Sequence, residues 1–300
     1  MPELPDIELY LTRIRERVLG HTLEKISIFN PFVLRTASPS PQEFASHEVK
    51  GVERIGKRVV LELDGDLFVV IHLMISGRFT WQNPLPELKR ATGKIQLATI
   101  RFSSGQLTLQ EASTKKRASI HLVKGKGNLA TFNRGGLDVL QATPHAFFQR
   151  LTQENRTLKR ALIDPTKFDG IGNAYSDEIL FAAKLSPVRR TQALSAAEVE
   201  NLRVAALETL TSWRDRLKIT YPDFPKPAQI TAFRPDFAVH GRFGKPCPVC
   251  NMPIQRIVYA ETETNYCAVC QNEGRLLVDR SLSRLLKDDW PKTMEEMLGD

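Results

Sequence analysis

The first twenty residues carry apolar side chains at the spacing of an amphipathic helix. The apolar positions recur every three or four residues: Ile7, Leu11, Ile14 and Val18. This spacing puts them on one helix face. Pro5 suits a first helical turn, and the charge of Asp6 is favourable there because a helix N-terminus is positive. Gly20 is a stop signal, so we expect one helix that ends before it.

After this helix the pattern changes to short alternating runs that predict β-strands. Clear examples are Arg58–Leu63, Leu67–Leu73, Gln96–Phe102 and Gln106–Gln110. Turn sequences separate them, at Asp64-Gly65-Asp66 and at Ser103-Ser104-Gly105. Many short strands without intervening helices are typical of an antiparallel sandwich or barrel. We expect this region to extend to about residue 124.

The rest of the chain divides into a linker, a helical region, a cysteine-rich segment and a tail. A glycine-rich linker covers residues 125–142, and a helical domain follows over 143–235. The helix candidates are His145–Leu151, Leu158–Ile163, Ala174–Lys184 and Ala196–Lys218, the last opened by a capping box from Ser195 to Glu198. A finger over 236–272 and a tail over 273–300, with a helix around Ser281–Leu286, complete the prediction. The predicted fold class is α+β.

Composition places the chain among ordinary globular proteins with a basic surplus. It has 300 residues, 42% hydrophobic and 25% charged, enough for about two domains. No apolar run reaches the length of about 18 residues that a membrane helix needs, and the first residues are not those of a signal peptide. We therefore expect a cytoplasmic protein. Lys and Arg exceed Asp and Glu by 42 to 34, which favours a polyanionic partner, nucleic acid first.

The four cysteines form two CxxC pairs separated by 16 residues: Cys247, Cys250, Cys267 and Cys270. Two residues between ligands let both thiolates of a pair reach one tetrahedral metal, and the gap suits a zinc-ribbon hairpin. Two disulfides and a redox pair are the alternatives. A disulfide framework fits poorly in a chain without a secretory signal, and a redox pair needs no twin. We favour one structural zinc ion.

The N-terminal Met-Pro-Glu sequence offers a candidate nucleophile. Initiator methionine is usually removed before proline, which would leave Pro2 as a terminal secondary amine. An α-amine titrates at about 8, whereas lysine titrates at about 10.4, so far more of the amine is a free base at neutral pH. Such a nitrogen can attack an aldehyde-like carbon and form an iminium, with Glu3 beside it to move protons. Taken alone, Met-Pro is more simply a common start.

Several motifs in one order change that interpretation. They are MPELPDIE, IGKR, HLMISGR, GIGNAYSDEILF and VHGRFGKPCPVC, followed by the ribbon cysteines. This arrangement resembles the formamidopyrimidine-DNA glycosylase and endonuclease VIII family over residues 1 to about 272, and Leu4 is similar to its purine-type branch. The resemblance implies an N-terminal helix with a β-sandwich, a helix–two-turns–helix domain and a zinc ribbon. It also implies excision of oxidised bases from DNA.

The resemblance implies a role for each matching residue. Pro2 would attack C1′ of the damaged nucleotide, and Glu3 would assist glycosidic cleavage and opening of the sugar ring. Lys57 and His72 would hold phosphates near the lesion, and Asn173 would contact the DNA backbone from the helix–two-turns–helix element. Three of these residues also have simpler interpretations. Lys57 is then a solvated turn lysine, His72 a half-buried histidine and Asn173 a helix cap.

The chain departs from the family pattern where the family inserts side chains into DNA. Ile75 stands at the position of the family's methionine wedge. The family's Arg-Arg-Phe stretch falls on residues 111–119, which hold Lys115, Lys116 and Arg117 but no phenylalanine. Filling the opened stack offsets an unstacking cost of a few kcal/mol, so these changes predict altered lesion recognition.

Three further departures lie elsewhere. The family's hairpin arginine falls on Thr262, and Arg256 on the other arm is the candidate replacement, since a guanidinium clamps phosphate in a way threonine cannot. Asp6 replaces a glutamate, and His240 stands where a tyrosine is usual. The resemblance therefore implies a retained elimination centre with altered phosphate clamping, and single-stranded, gapped or abasic DNA as possible substrates.

We predict a monomeric, bacterial-type, nucleoid-associated base-excision-repair glycosylase with abasic-site lyase activity through β/δ-elimination. Its partner is DNA, without a membrane, and its cofactor is one zinc ion. The alternative is a non-catalytic protein on the same scaffold that binds damaged or single-stranded DNA. An unrelated zinc-ribbon regulator is a third hypothesis, which leaves the N-terminal motifs unexplained.

Overall fold

The computed structural model describes residues 1–84, 95–259, 262–278 and 291–298. The chain divides into two compact units. The first comprises Met1–Arg134 with Trp213–Thr231, and the second comprises Gly135–Ser212 with Ala232–Asp300. Among the described residues, no helix is both long enough and apolar enough to cross a membrane.

The predicted N-terminal helix is present as α1, Leu4–Val18. Its predicted apolar face is buried, since Ile7 and Ile14 have no exposed surface. Pro5 lies in the first turn, and the side chain of Asp6 accepts a hydrogen bond from the backbone N–H of Glu3 at 2.9 Å. This closes the helix start, where backbone N–H groups lack helical partners. The chain turns away at Gly20, whose φ of +75° favours glycine.

The first unit contains an eight-stranded antiparallel sheet. In chain order its strands are β1 Thr22–Ile28, β2 His47–Ile55, β3 Arg58–Leu63, β4 Leu67–His72, β5 Gly77–Gln82, β6 Gln96–Phe102, β7 Gly105–Glu111 and β8 Ser119–Lys124. The spatial order is β5-β7-β6-β1-β2-β3-β4-β8. All four runs predicted as strands form strands.

The sheet consists of two four-stranded halves that share one core. Only Thr22 and Leu23 of β1 pair with β2, so the halves meet at a short seam. Ile100 from one half and Ile71 from the other belong to the same buried cluster, together with apolar residues of α1. Each large aliphatic side chain buried in this way stabilises the fold by roughly 1.5–3 kcal/mol. The predicted β-sandwich is confirmed.

Helices dominate the middle of the chain. They are α2 Lys126–Ala130, α3 Pro144–Thr152, α4 Leu158–Ile163, α5 Asn173–Ala182 and α6 Ala196–Thr220. All four predicted helices form, and Ser195 and Glu198 make the predicted reciprocal cap. The short helix α2 lies inside the stretch predicted as a linker. It forms where Asn128 and Leu129 donate their backbone N–H groups to the carbonyl of Gly125.

The C-terminal part of the second unit is a hairpin with two apolar clusters. The strands β9 Gln255–Tyr259 and β10 Thr262–Tyr266 pair antiparallel, and α7 Ala268–Asn272 follows. A last helix, α8 Met294–Leu298, returns to the hairpin, where Met294 packs in a cluster with Tyr266 and Leu276. The backbone N–H of Leu276 donates to the carbonyl of Lys292 at 2.8 Å. The helix predicted around Ser281–Leu286 lies outside the described residues.

Candidate functional site

The N-terminus lies at the start of α1, where acidic and basic side chains act on its amine. Pro2 is buried, and only 3% of Glu3 is exposed. The hydrogen bond from the Glu3 backbone N–H to Asp6 fixes this turn. The shorter aspartate therefore caps the helix start at a position where the family pattern has glutamate. The chain therefore holds Pro2 and Glu3 together on the rigid end of a helix.

The terminal amine, carried here by Met1, has a pKa below its ordinary value. Burial is the main cause, because it removes water from the ammonium form. The carboxylates of Glu3 and Asp6 oppose the shift, whereas the charges of Arg78 and Lys57 add to it. A lowered pKa increases the fraction of unprotonated, nucleophilic amine at neutral pH.

Lys57 and His72 lie in a cationic region on one face of the sheet. Lys57 occupies the turn between β2 and β3 and is half-buried, and the next residue, Arg58, pairs with His72 across β3 and β4. Burial, followed by the charges of Arg58 and Lys57, lowers the pKa of His72 to about 4. Arg134 and His121 contribute to the same shift. The His72 ring is therefore neutral at physiological pH.

Ile75 stands at the tip of a tight turn after β4. Gly77 donates its backbone N–H to the carbonyl of Leu73 at 2.9 Å, and a Cβ on Gly77 would lie 2.3 Å from that oxygen, so only glycine fits. Arg78 donates to the carbonyl oxygens of Ile75 and Gly77 at 3.2 and 2.7 Å. The side chain of Ile75 nevertheless stays 52% exposed. The turn thus presents a large apolar group to solvent.

Arg117 is exposed in the loop between β7 and β8. The buried carboxylate of Glu111 holds this loop, because it accepts the backbone N–H groups of Arg117 and Ala118 at 2.8 and 3.0 Å. Lys116, which the family pattern associates with DNA reading, instead donates its ammonium to the backbone carbonyl of Glu111. Arg117 is thus left as the outward-facing member of this basic pair.

In the second unit, Asn173 is the first residue of α5. Its side-chain Nδ2 donates to the backbone carbonyl of Glu263 in the hairpin at 2.8 Å. Lys159 on α4 donates to the carbonyl of Asn173 at 2.7 Å. Asn173 therefore braces the start of α5 against the hairpin, whereas the N-cap position of this helix is held by Gly172.

A buried polar network lies behind Asn173. The ammonium of Lys159 is 2.5 Å from Asp177 Oδ1, and His240 Nδ1 is 2.7 Å from Asp177 Oδ2. The backbone N–H of Asn265 also donates to Asp177, at 3.1 Å. All three side chains, Lys159, Asp177 and His240, are more than nine-tenths buried. His240, which replaces the usual tyrosine, thus joins the hairpin segment to α5.

Arg256, the candidate replacement for the family's hairpin arginine, lies on β9 opposite Asn265. Its guanidinium stacks over the ring of Phe243 at 4.3 Å and lies 3.6 Å from a carboxylate oxygen of Glu263. Its side chain remains 46% exposed. Thr262 is the first residue of β10 and is also exposed. Arg256 therefore has a fixed orientation and an accessible charge.

The four cysteines of the ribbon converge on one point. Their sulfur atoms all lie within 4.8 Å of one another, with Cys247 and Cys270 at 3.9 Å and Cys250 and Cys267 at 3.4 Å. A tetrahedral zinc site with Zn–S bonds of about 2.3 Å needs sulfurs about 3.8 Å apart. The cysteines are free thiols, not disulfides. The set fits one zinc ion with four protein ligands, and the predicted structural zinc site is confirmed.

The predicted site residues thus fall into one group in each unit. In the first unit, the charges of Glu3 and Lys57 both act on the terminal amine, and the charge of Lys57 also acts on His72. Ile75 and Arg117 lie on loops held by Glu111. In the second unit, Asn173 and Arg256 both contact Glu263. Glu111 is not recognisable from the sequence, because the partners of its side chain lie 6 to 35 residues away. Arg78 has a sequence signal, since it is the last residue of the HLMISGR motif.

Comparison with known protein families gives three matches along the chain. Residues 1–122 match the formamidopyrimidine-DNA glycosylase N-terminal domain, and residues 138–215 match the H2TH domain of the same enzymes. Residues 244–272 match the zinc finger found in FPG and IleRS. Together the matches cover the β-sandwich, the helical region and the cysteine ribbon in the expected order.

Relatives and solved structures agree with these matches. The formamidopyrimidine-DNA glycosylase of Thermus thermophilus is 32% identical over 281 residues, which cover 91% of this chain and all of the relative. That of Geobacillus kaustophilus is 30% identical over 90% of this chain and all of the relative.

The crystal structure of the MutM (Fpg) protein from Thermus thermophilus has a TM-score of 0.74 at 28% identity and covers 91% of this chain and all of that one. The Lactococcus lactis Fpg, in complex with DNA containing an abasic site, has the same fold, with a TM-score of 0.77 at 24% identity over 90% of this chain and 99% of that one. The chain therefore belongs to the formamidopyrimidine-DNA glycosylase family of DNA-repair enzymes.

Proposed function

We propose that this protein is a base-excision-repair glycosylase and abasic-site lyase for oxidatively damaged DNA, with the nitrogen of Pro2 as its nucleophile. The observation that carries the proposal is the buried N-terminus, where the amine has a lowered pKa and Glu3 lies beside it. Removal of Met1 places the ring nitrogen of proline in this same environment. Burial there would lower the pKa of the proline amine in the same direction and so raise its unprotonated fraction.

The chemistry follows from that amine. The nitrogen lone pair of Pro2 attacks C1′ of the deoxyribose, the glycosidic bond breaks, and the base leaves with a proton. Opening of the sugar ring gives an iminium between Pro2 and C1′. The iminium accepts the electron pair released when a C2′ proton is removed, and the 3′ C–O bond to phosphate then breaks. A second elimination expels the 5′ phosphate, and water hydrolyses the iminium. Glu3 is the residue placed to transfer protons in these steps.

The cationic residues of each unit are proposed to hold DNA phosphates. Lys57 and the neutral ring of His72 lie beside Arg58 and would contact phosphates near the lesion. Asn173 would offer its second amide N–H, and Arg256 its exposed guanidinium. Phosphate contacts of this kind position a protein on DNA without reading its sequence. The zinc ion would keep the hairpin that carries Arg256 folded.

The test of this proposal is borohydride trapping on an abasic duplex. The protein used carries a removable N-terminal extension. The extended protein has an amide at the proline nitrogen and should give no crosslink. Cleavage of the same sample to expose the nitrogen of Pro2 should restore a crosslinked band. Intact mass of the untagged protein checks that Met1 is absent.

Equal trapping before and after cleavage would contradict the assignment of Pro2. Tight binding of damaged or single-stranded DNA without any crosslink would instead favour the non-catalytic alternative. Because one sample serves both states, differences in folding or purity do not enter the comparison.

A further inference from the structure

Glu111 joins two loops that carry exposed candidate DNA-contacting residues. We name Leu73–Gly77 the first recognition loop and residues 112–118 the second recognition loop. The exposed Ile75 belongs to the first and the exposed Arg117 to the second. Glu111 ends β7, lies opposite Gly77 across the sheet and is only 1% exposed.

The two oxygens of this carboxylate serve different loops. Oε1 accepts a hydrogen bond from the hydroxyl of Ser76 at 2.9 Å, next to Ile75 in the chain. Oε2 accepts the backbone N–H groups of Arg117 and Ala118 at 2.8 and 3.0 Å. Burial costs a carboxylate its hydration, and these three hydrogen bonds offset that cost. The carboxylate therefore fixes the distance between the two loops.

We propose that Glu111 is a positioning residue that sets the spacing of Ile75 and Arg117 and so controls how well a damaged base is extruded from duplex DNA. The inference rests on the proposed function, because it assumes that these two side chains enter DNA. Neither Glu111 nor Ser76 touches the N-terminal amine group through any described hydrogen bond. Loss of the link should therefore impair base removal while the reaction at an existing abasic aldehyde continues.

Three substitutions separate geometry from charge. Ser76→Ala cuts the link to the first loop and leaves both amide bonds to the second. Glu111→Asp keeps the charge but is one methylene too short to reach both loops. Glu111→Gln removes the charge but keeps the length, since its carbonyl can accept the two amides and its NH₂ can donate to the Ser76 hydroxyl. Ser103→Ala is the matched control, because it removes a hydroxyl hydrogen bond from another turn of the same sheet.

The experiment measures single-turnover rates on two duplexes of one sequence, with a formamidopyrimidine lesion or an abasic site. Ser76→Ala and Glu111→Asp should slow lesion excision about tenfold, since small misplacements of contacting groups cost factors of this order, and should change abasic cleavage less than about twofold. Glu111→Gln and Ser103→Ala should retain both rates. Fluorescence of 2-aminopurine beside the lesion should show less unstacking in the two impaired variants.

Equal losses on both substrates, or no loss in Ser76→Ala and Glu111→Asp, would overturn this role. Normal excision by Glu111→Asp together with a loss in Glu111→Gln would show that the charge matters and the spacing does not. A wild-type protein that traps no abasic DNA would contradict the proposed function itself. If the wild-type enzyme traps abasic DNA but the variants excise the lesion at the wild-type rate, only the role of Glu111 is contradicted.

Discussion

His72 is a residue whose charge state follows from its place in the sheet. It faces Arg58 across the strand pair, and burial with neighbouring cations lowers its pKa to about 4. The cations around His72 therefore disfavour a positive charge on its own ring. A DNA phosphate placed there would reverse this balance, because an anion favours the protonated ring.

We predict that His72 makes the protein less stable as the pH falls. An unfolded histidine titrates at about 6.5, so the unfolded chain binds more protons than the folded chain between that pH and about 4, and the free energy of unfolding falls as the pH falls through this window. From pH 6.5 to 4.5 the loss due to His72 is about 2 kcal/mol. Urea unfolding at both pH values should show that His72→Asn loses about 2 kcal/mol less free energy of unfolding than the wild type. The exposed His145→Asn serves as the control, and equal pH dependence in all three proteins would refute the prediction.

Single residues with chemistry of their own were predictable from the sequence, and residues that act through distant partners were not. Pro2 and the four cysteines are recognisable from local spacing. Glu111 looks like any strand-end carboxylate, because its hydrogen-bond donors meet it only after the sheet forms. Asp177 has the same character, since Lys159 and His240 come from segments 18 and 63 residues away.

At the scale of elements, the hairpin and α5 depend on each other. Asn173, Asp177 and Glu178 on α5 all bind backbone or side-chain groups of the segment that leads into or forms the hairpin. Glu178 alone accepts the backbone N–H groups of Ala238, Val239 and His240 at 2.7–2.9 Å. Because α5 and the hairpin segment share these buried polar groups, disturbance of one is expected to reach the other.

We predict that loss of one zinc ligand removes the metal. Binding to damaged and to undamaged DNA should then weaken equally. Cys267→Ser leaves three thiolates, which hold zinc far less tightly, and hairpin folding depends on the metal. Metal analysis should find no zinc, and binding to damaged and undamaged duplexes should fall by the same factor. Val249→Ser, an exposed change in the same CxxC turn, is the control. Wild-type protein that binds DNA fully with less than about half an equivalent of zinc would count against this role.

Elements with strong local patterns were predicted to within a residue or two, and weaker ones needed tertiary context. Arg58–Leu63 and Leu158–Ile163 form with the predicted bounds. The strand Ser119–Lys124 is not evident from the sequence, because its alternation of buried and exposed residues is mixed. The short α2 falls within the predicted linker, because Gly125 precedes it and Gly127 lies inside it.

At the scale of the whole molecule, we predict a substrate range that favours abasic sites over 8-oxoguanine in intact duplex. The terminal amine and Glu3 can react with any abasic aldehyde. The residues at the wedge and phosphate-clamp positions, Ile75 and Thr262, differ from the family pattern. Isoleucine is stiffer than the family's methionine, and Lys116 is bound to its own loop. Loss of a few kcal/mol of recognition corresponds to a rate loss of tens- to thousands-fold.

Single-turnover rates on matched abasic and 8-oxoguanine duplexes measure this preference. Ile75→Met should narrow the gap between the two rates by restoring a flexible wedge, and it should leave the abasic rate nearly unchanged. Comparable wild-type rates on both duplexes would show that other residues, such as those of the 221–235 loop, restore recognition.

The packing of α8 against the hairpin has a consequence for the lifetime of the metal complex. Met294 contacts the cluster that contains Tyr266, which directly precedes the third cysteine. A fluctuation that exposes that cysteine to a competing chelator must also undock this helix, so the opening is rarer than in an uncovered hairpin. We therefore expect zinc to leave this ribbon more slowly than its four thiolate ligands alone would allow, because contacts that donate no ligand oppose the opening.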